Sequence, residues 1–368
     1  MPTLSGQIVL PDRVLAGAIG FDDRIRSVEA RPEASSRLIL PGFIDTHVHG
    51  GGGGDCMDGA EGIRTLARFH LAHGTTTLLP TTMTRPWDEV LAALAAVGAV
   101  RAEGVRLGAD IHGAHLEGPF LSPQRLGAQP PFAVPPDRRR VEAALAAGIV
   151  RVVTIAPELD GALPAMRRFA AAGVRVSLGH TACSFEQAQA AIEAVLSAGG
   201  VVGGTHLFNA MGGIEARAPG LAWALLGSEA AHAELILDTH HVHPALFLMA
   251  HKAIGNRLLL ITDCMRAGGQ RDGNSELGGR PVSVSGGIAR LADGTLAGSV
   301  LTLDQALRNA VAAGVPLARA ARLLSLNPAR YLGLEDRGAL HPGLRADLVV
   351  TDDALEVLEV WREGERMV

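Results

Sequence analysis

The 368 residues are 48% hydrophobic and 19% charged, which suits a well-cored globular chain and excludes a disordered one. A formal net charge of −5 without any basic block excludes nucleic acid as the main partner. No apolar run is long enough for a membrane span, and the amino terminus lacks the basic-then-apolar layout of a signal peptide. Cys56, Cys183 and Cys264 stand far apart in no Cys-x-x-Cys spacing, so they read as reduced thiols of a cytoplasmic protein.

Residues 1–40 alternate in the manner of small twisted strands, with a turn at Asp22-Asp23. Eight short β-branched runs follow, at 38–45, 75–80, 109–116, 150–156, 174–179, 201–206, 234–238 and 257–263. Alanine-rich segments with helical spacing lie near 60–73, 87–103, 137–147, 160–172, 184–198, 244–254 and 302–313, with a weaker one near 217–230. Strands alternating with helices pair in parallel, and eight of them point to an α/β fold, a closed (β/α)8 TIM-like barrel, rather than an open doubly wound sheet. A Gly-rich stretch over 268–300 predicts hairpins above the barrel rim. The last segment alternates again. The expected organisation is a small discontinuous β-sandwich domain from residues 1–40 and 334–368, around a catalytic barrel of 41–333.

Polar residues fall at the ends of the barrel runs: His47 and His49, Glu117, Glu158, His180, His206, His241 and Asp263. In a barrel those ends meet at one rim, where such enzymes keep their active sites. His47 and His49 share a face because a strand alternates its side chains. Glu117, His180 and His206 form an oxygen–nitrogen set suited to a divalent ion, and three protein ligands leave a position open for water. His47 and His49, with Glu117 bridging, could hold a second ion. The only lysine, Lys252, falls in helical sequence and cannot reach the rim as a bridge. Asp263 is the natural general base. His115, two before Glu117, is placed to support the ligands. Glu158 reads as structural, and His70, His73, His112, His232, His251 and His341 as ordinary.

The same residues form a pattern. ProGlyPheIleAspThrHisValHis (41–49), HisLeuGluGlyPro (115–119), GlyHisThr (179–181), ThrHisLeuPheAsnAlaMet (205–211) and ThrAspCysMet (262–265) resemble the N-acetylglucosamine-6-phosphate deacetylase family of the amidohydrolase superfamily. LeuAlaGlySer (296–299), AsnProAla (327–329) and ProGlyLeuArgAlaAspLeuVal (342–349) carry the resemblance to the end of the chain. It implies metal-dependent hydrolysis of the N-acetyl group of an amino-sugar phosphate, first of all N-acetyl-D-glucosamine 6-phosphate to D-glucosamine 6-phosphate and acetate. Glu117, His180 and His206 match the family's metal ligands and Asp263 its base. Asn209, the backbone at Ala210, Arg217 and His241 match positions that hold the sugar phosphate. The implied ion is Zn2+, with Fe2+, Co2+ or Mn2+ as alternatives, one or two per subunit of a homodimer.

Two departures stand out. The family's Lys-Gly-Ala-His is here LeuGlyAlaGln, so Gln129 stands where a histidine helps polarise the acetyl carbonyl. A glutamine amide donates a hydrogen bond but carries no charge. That keeps open another substrate: N-acetylgalactosamine 6-phosphate, an unphosphorylated sugar or a different amide. After Asp238, Thr239 replaces the family's usual glycine.

Overall fold

Both ends of the chain meet in one seven-stranded sheet, in the order Glu365–Arg366, Val357–Arg362, Leu348–Thr351, Leu38–Pro41, Thr3–Val9, Val14–Phe21, Ile25–Ala30. The computed structural model describes residues 1–368. The sheet curls back on itself, because Ile25 N donates to Leu344 O at 2.8 Å and Ala346 N to Asp23 O at 3.0 Å. Between its layers lie Ile8, Ile19, Phe21, Ile25, Ile39 and Leu348, and Trp361 closes edge-on against Phe21 at 5.2 Å. Alternation put these side chains on one face; burial of that face holds the two termini together.

The run read as one strand over 38–45 is divided at Gly42. Leu38–Pro41 joins the terminal sheet and Phe43–Val48 opens the barrel as β1. Gly42 fits there because a Cβ would lie only 2.3 Å from Thr76 Oγ1, and its N–H donates to Asp347 O at 2.8 Å.

The barrel continues with β2 (Thr75–Pro80), β3 (Ala114–Glu117), β4 (Val150–Ile155), β5 (Arg175–Leu178), β6 (Val202–Gly204), β7 (Ala233–Ile236) and β8 (Leu258–Ile261). Parallel ladders join β1 to β2, β3 through to β6, and β7 to β8. Backbone bonds close the other seams, among them Thr82 N to His115 O at 3.0 Å, Leu207 N to Glu234 O at 2.7 Å, and Asp263 N to His47 O at 2.9 Å. The ring is therefore shut, and its carboxy-terminal rim gathers residues remote in sequence.

Helices α1 (Ala60–Ala72), α2 (Trp87–Glu103), α3 (Arg138–Ala146), α4 (Ala162–Ala171), α5 (Phe185–Ser197), α6 (Leu221–Gly227), α7 (Pro244–Ile254) and α8 (Leu303–Ala312) follow the strands in turn. Their buried alanines, such as Ala188, Ala191 and Ala194 on α5, let helix backbone lie close to the sheet. Ser184 and Gln187 cap α5 reciprocally, which fixes where it starts. Two short helices, Leu317–Leu324 and Leu326–Leu332, have no counterpart in the sequence reading. They bring Ala329, Tyr331 and Leu332 against Ile44, Leu79, Val152 and Leu259 beneath the site.

Over the rim stands an antiparallel sheet of Gly273–Leu277, Arg280–Ser285 and Ile288–Arg290, within the stretch read as hairpins. No helix is long and apolar enough to cross a membrane.

Candidate metal centre

His180, His206 and Asp263 each lie two residues beyond a strand, after β5, β6 and β8. All three have left-handed backbones, with φ of +47°, +32° and +50°. Such a conformation costs a non-glycine residue about 1–3 kcal/mol and persists only where surrounding bonds fix it. Those bonds are present: Ser122 N to His180 O at 2.9 Å, Asn209 N to His206 O at 3.0 Å, and Ser299 N to Asp263 O at 2.8 Å. Glu117 ends β3, and His47 and His49 sit at the end of β1.

Glu117 lies at the middle, with one oxygen to each side. Its Oε1 is 3.2 Å from His180 Nε2 and 3.3 Å from His206 Nε2, and those two nitrogens are 3.0 Å apart. Its Oε2 is 3.1 Å from His49 Nε2 and 3.5 Å from His47 Nε2. Asp263 Oδ1 completes the second group, 3.2 Å from His49 Nε2 and 3.5 Å from His47 Nε2.

The outer ring nitrogens explain why the Nε2 atoms face inward. His49 Nδ1 lies 3.2 Å from Thr81 O and His180 Nδ1 2.9 Å from Arg125 O. A carbonyl only accepts, so each Nδ1 carries the hydrogen and Nε2 is left for the site. His47 Nδ1 meets Glu234 Oε2 at 3.1 Å in the same way. Glu117 Oε1 is buried without a hydrogen-bond partner, facing the two imidazole nitrogens. An unpartnered buried carboxylate oxygen among imidazole nitrogens is what a divalent cation satisfies, so the residues fit the metal that the sequence resemblance implies.

Electrostatics divide the centre. Burial alone would lower His49, yet its contacts with Asp263 and Glu117 raise it to about 9. His47 is likewise held well above its ordinary value, against burial, by Glu117 and Asp263. Burial pushes Glu117 and Asp263 up, and the neighbouring histidine charges more than offset it, leaving both lowered. Beneath them, burial raises Asp45 to about 7 while it accepts from Thr262 Oγ1 at 2.6 Å.

A cavity of about 210 Å³ opens above this centre, reached by His49, Glu117, His180, His206 and Asp263. Its other walls carry Gln129, Asn209, Ala210 and His241, with Met83, Leu277 and Leu296 as apolar surface. Gln129 is held at both ends: Thr84 N donates to its Oε1 at 2.7 Å, and its Nε2 donates to Glu117 Oε2 at 2.7 Å. His241 Nδ1 lies 2.6 Å from Asp238 Oδ2, which turns Nε2 outward. Phe208 and Ala210 have φ of +78° and +48°, the alternation that lets backbone N–H groups face an anion. Thr239, where the family has glycine, also has positive φ, +71°.

Arg217 is not brought to the cavity. It is exposed within 212–219, outside the lining residues. Lys252 is exposed on α7. Glu158 accepts from Ala182 N at 2.7 Å and from Thr181 Oγ1, so it steadies the loop after His180. His115 packs on His47, ring centroids 4.6 Å apart, and bonds Thr46 O and Thr154 Oγ1 instead of reaching the cavity. Glu234 escaped the sequence reading. It is buried, and accepts from Thr46 Oγ1 at 2.7 Å as well as facing His47. The available signal was an acid within an otherwise apolar strand.

The amidohydrolase family model matches residues 38–367. N-acetylgalactosamine-6-phosphate deacetylase of Escherichia coli O157:H7 is 40% identical over 358 residues, covering 94% of this chain and 92% of that protein. N-acetylglucosamine-6-phosphate deacetylase of Lysinibacillus sphaericus is 37% identical over 341 residues, covering 90% and 86%. Among solved structures, N-acetyl-D-glucosamine-6-phosphate deacetylase of Mycobacterium smegmatis, a mutant in complex with N-acetyl-D-glucosamine-6-phosphate, superposes with a TM-score of 0.92 at 39% identity. That match covers 100% of this chain and 99% of the other. The chain belongs to the amidohydrolase family, metal-dependent hydrolases of carbon–nitrogen bonds, in the branch of the N-acetylglucosamine-6-phosphate deacetylases.

Proposed function

We propose that the protein removes the acetyl group of N-acetyl-D-glucosamine 6-phosphate, releasing acetate and D-glucosamine 6-phosphate. The observation that carries this reading is one cavity with a metal-ligand set and Asp263 on one wall and Asn209, Ala210 and His241 on another. Glu117, His180 and His206 would hold the first ion, and His47, His49 and Asp263, with Glu117 Oε2, a second. Zinc suits this nitrogen–oxygen set best; Fe2+, Co2+ and Mn2+ share its donor preference. When bound, the ion supplies Lewis-acid polarisation and water acidified toward neutrality.

The chain's own residues do the rest. Asp263 takes a proton from the attacking water as the new carbon–oxygen bond forms. It returns that proton to the sugar nitrogen as the carbon–nitrogen bond breaks. The free Nε2 hydrogen of Gln129 donates to the carbonyl oxygen as charge builds there. Asn209, the Ala210 N–H and His241 Nε2 anchor the phosphate and thereby orient the acetamide. Arg217, exposed and apart, is left out of this anchor.

A second reading has its own support: the relative at 40% identity is named for the galactosamine substrate. A panel of N-acetylglucosamine 6-phosphate, N-acetylgalactosamine 6-phosphate and free N-acetylglucosamine separates the cases. The gluco phosphate should show the highest kcat/KM, with the unphosphorylated sugar lowest. Equal efficiency on the free sugar would remove phosphate recognition, and a preference for the galacto phosphate would transfer the assignment.

The terminal sheet supports dividing the chain into a β-domain of 1–40 with 334–368 and a barrel domain of 41–333, which places all the chemistry in the barrel. Free, buried Cys56, Cys183 and Cys264 support a reducing, cytoplasmic setting. Half-exposed Trp223 on α6 and Leu246, Leu248 and Met249 on the neighbouring α7 support a homodimer.

A further inference from the structure

Thr84 N–H lies on Gln129 Oε1 at 2.7 Å, and a backbone N–H only donates, so the amide orientation is fixed. The NH2 end must then face Glu117, where one hydrogen meets Oε2 at 2.7 Å. Gln129 is 4% exposed and Glu117 1%, so the bond between them is buried. The two carboxylate oxygens therefore differ. Oε2 accepts from the Gln129 amide, its shortest contact, with His49 Nε2 at 3.1 Å, whereas Oε1 faces His180 and His206 with no hydrogen bond at all.

We propose that Gln129 is a positioning residue for Glu117: its amide pins Oε2 and so presents Oε1 to the ion between His180 and His206. A carboxylate on a side chain with rotatable bonds would otherwise sample several rotamers, each bringing a different oxygen to the imidazoles. Pinning one oxygen removes that freedom before the ion arrives, which is how groups behind a ligand raise its affinity. The remaining Nε2 hydrogen is left for the cavity. One glutamine thus holds the ligand and still offers a donor, whereas a neutral imidazole, with a single N–H, can serve only one of these partners. This last step rests on the amide-hydrolysis reading above; the positioning of Glu117 does not.

The test is zinc(II) affinity of the full-length protein, measured by competition with a chromophoric chelator, for the wild type, Gln129→Met and Gln129→His. Gln129→Met keeps the volume but removes the donor, and should weaken zinc binding by about 10–100-fold. Gln129→His restores one N–H and should bind zinc within about threefold of the wild type, while kcat on the preferred substrate falls at unchanged zinc content. Circular dichroism and unfolding of the zinc-free proteins report whether each variant is folded. Wild-type affinity in Gln129→Met would overturn the proposal, and so would equal weakening in both variants, since the N–H would then not be what matters. Because the readout needs no substrate, it stands even if the substrate panel rejects every acetylated sugar phosphate.

Discussion

The two sides of Glu117 are built alike and behave differently. Toward His180 and His206 its oxygen is unpartnered. Toward His47 and His49 the acids Glu117, Glu234 and Asp263 surround two imidazoles whose proton affinity is raised. The first side sets one carboxylate oxygen against two imidazoles; the second sets carboxylates of three residues against two. The lesson is that ligand count alone does not rank two sites: the raised proton affinity of His47 and His49 sets protons in competition with an ion at the second.

The largest effect should come from Asp263, which belongs to the proton-rich side but serves the reaction. Asp263→Asn should lower kcat by about 10²–10⁴ while the zinc at Glu117, His180 and His206 and substrate affinity persist. Near-normal turnover would remove its role as base. His180→Asn and His49→Asn then compare the two sides directly. Elemental analysis after dialysis should find the tighter ion lost from the first variant and kept in the second, and the reverse order would invert the ranking.

A smaller effect concerns how β1 is held. His70 Nε2 donates to Gly50 O at 2.9 Å, just beyond His49, and burial lowers His70 to about 4. His70 thus stays neutral beside the backbone that follows His49. As pH falls below about 6.5 the unfolded chain binds this proton and the fold does not, so stability drops until pH reaches about 4. The stability advantage of the wild type over His70→Asn should therefore shrink by about 2–3 kcal/mol between pH 7 and 4.5, read from urea unfolding. A constant difference would mean that His70 takes up its proton in the fold as readily as in the unfolded chain. The smallest effect is expected at the far wall: His241→Ala should raise KM for the phosphorylated substrate by about tenfold, roughly 1.4 kcal/mol, and leave the unphosphorylated sugar unchanged.

Most of the barrel was legible because each strand is a short β-branched run and each helix a longer alanine-rich one, so period and length agree. Leu317–Leu332 was not, because Pro316 and Pro328 interrupt a pattern that tertiary contacts with Ile44 and Leu259 complete. The division at Gly42 was hidden for a similar reason: the close approach of Thr76 that requires glycine is a contact across the fold. In the site, strand-end position exposed His47, His49, Glu117, His180, His206 and Asp263. Glu234 was masked by the apolar strand around it. Gln129 could be read as a donor toward substrate, but its bond to Glu117 depends on Thr84, 45 residues away. Arg217 was read from its motif, and motif alone does not place an exposed loop.

The most direct measurement is a crystal structure of the zinc-loaded protein with anomalous data at the zinc edge. A peak should lie about 2.0–2.2 Å from Glu117 Oε1, His180 Nε2 and His206 Nε2 together. Zinc bound only elsewhere, with those three atoms sharing no ion, would contradict the account.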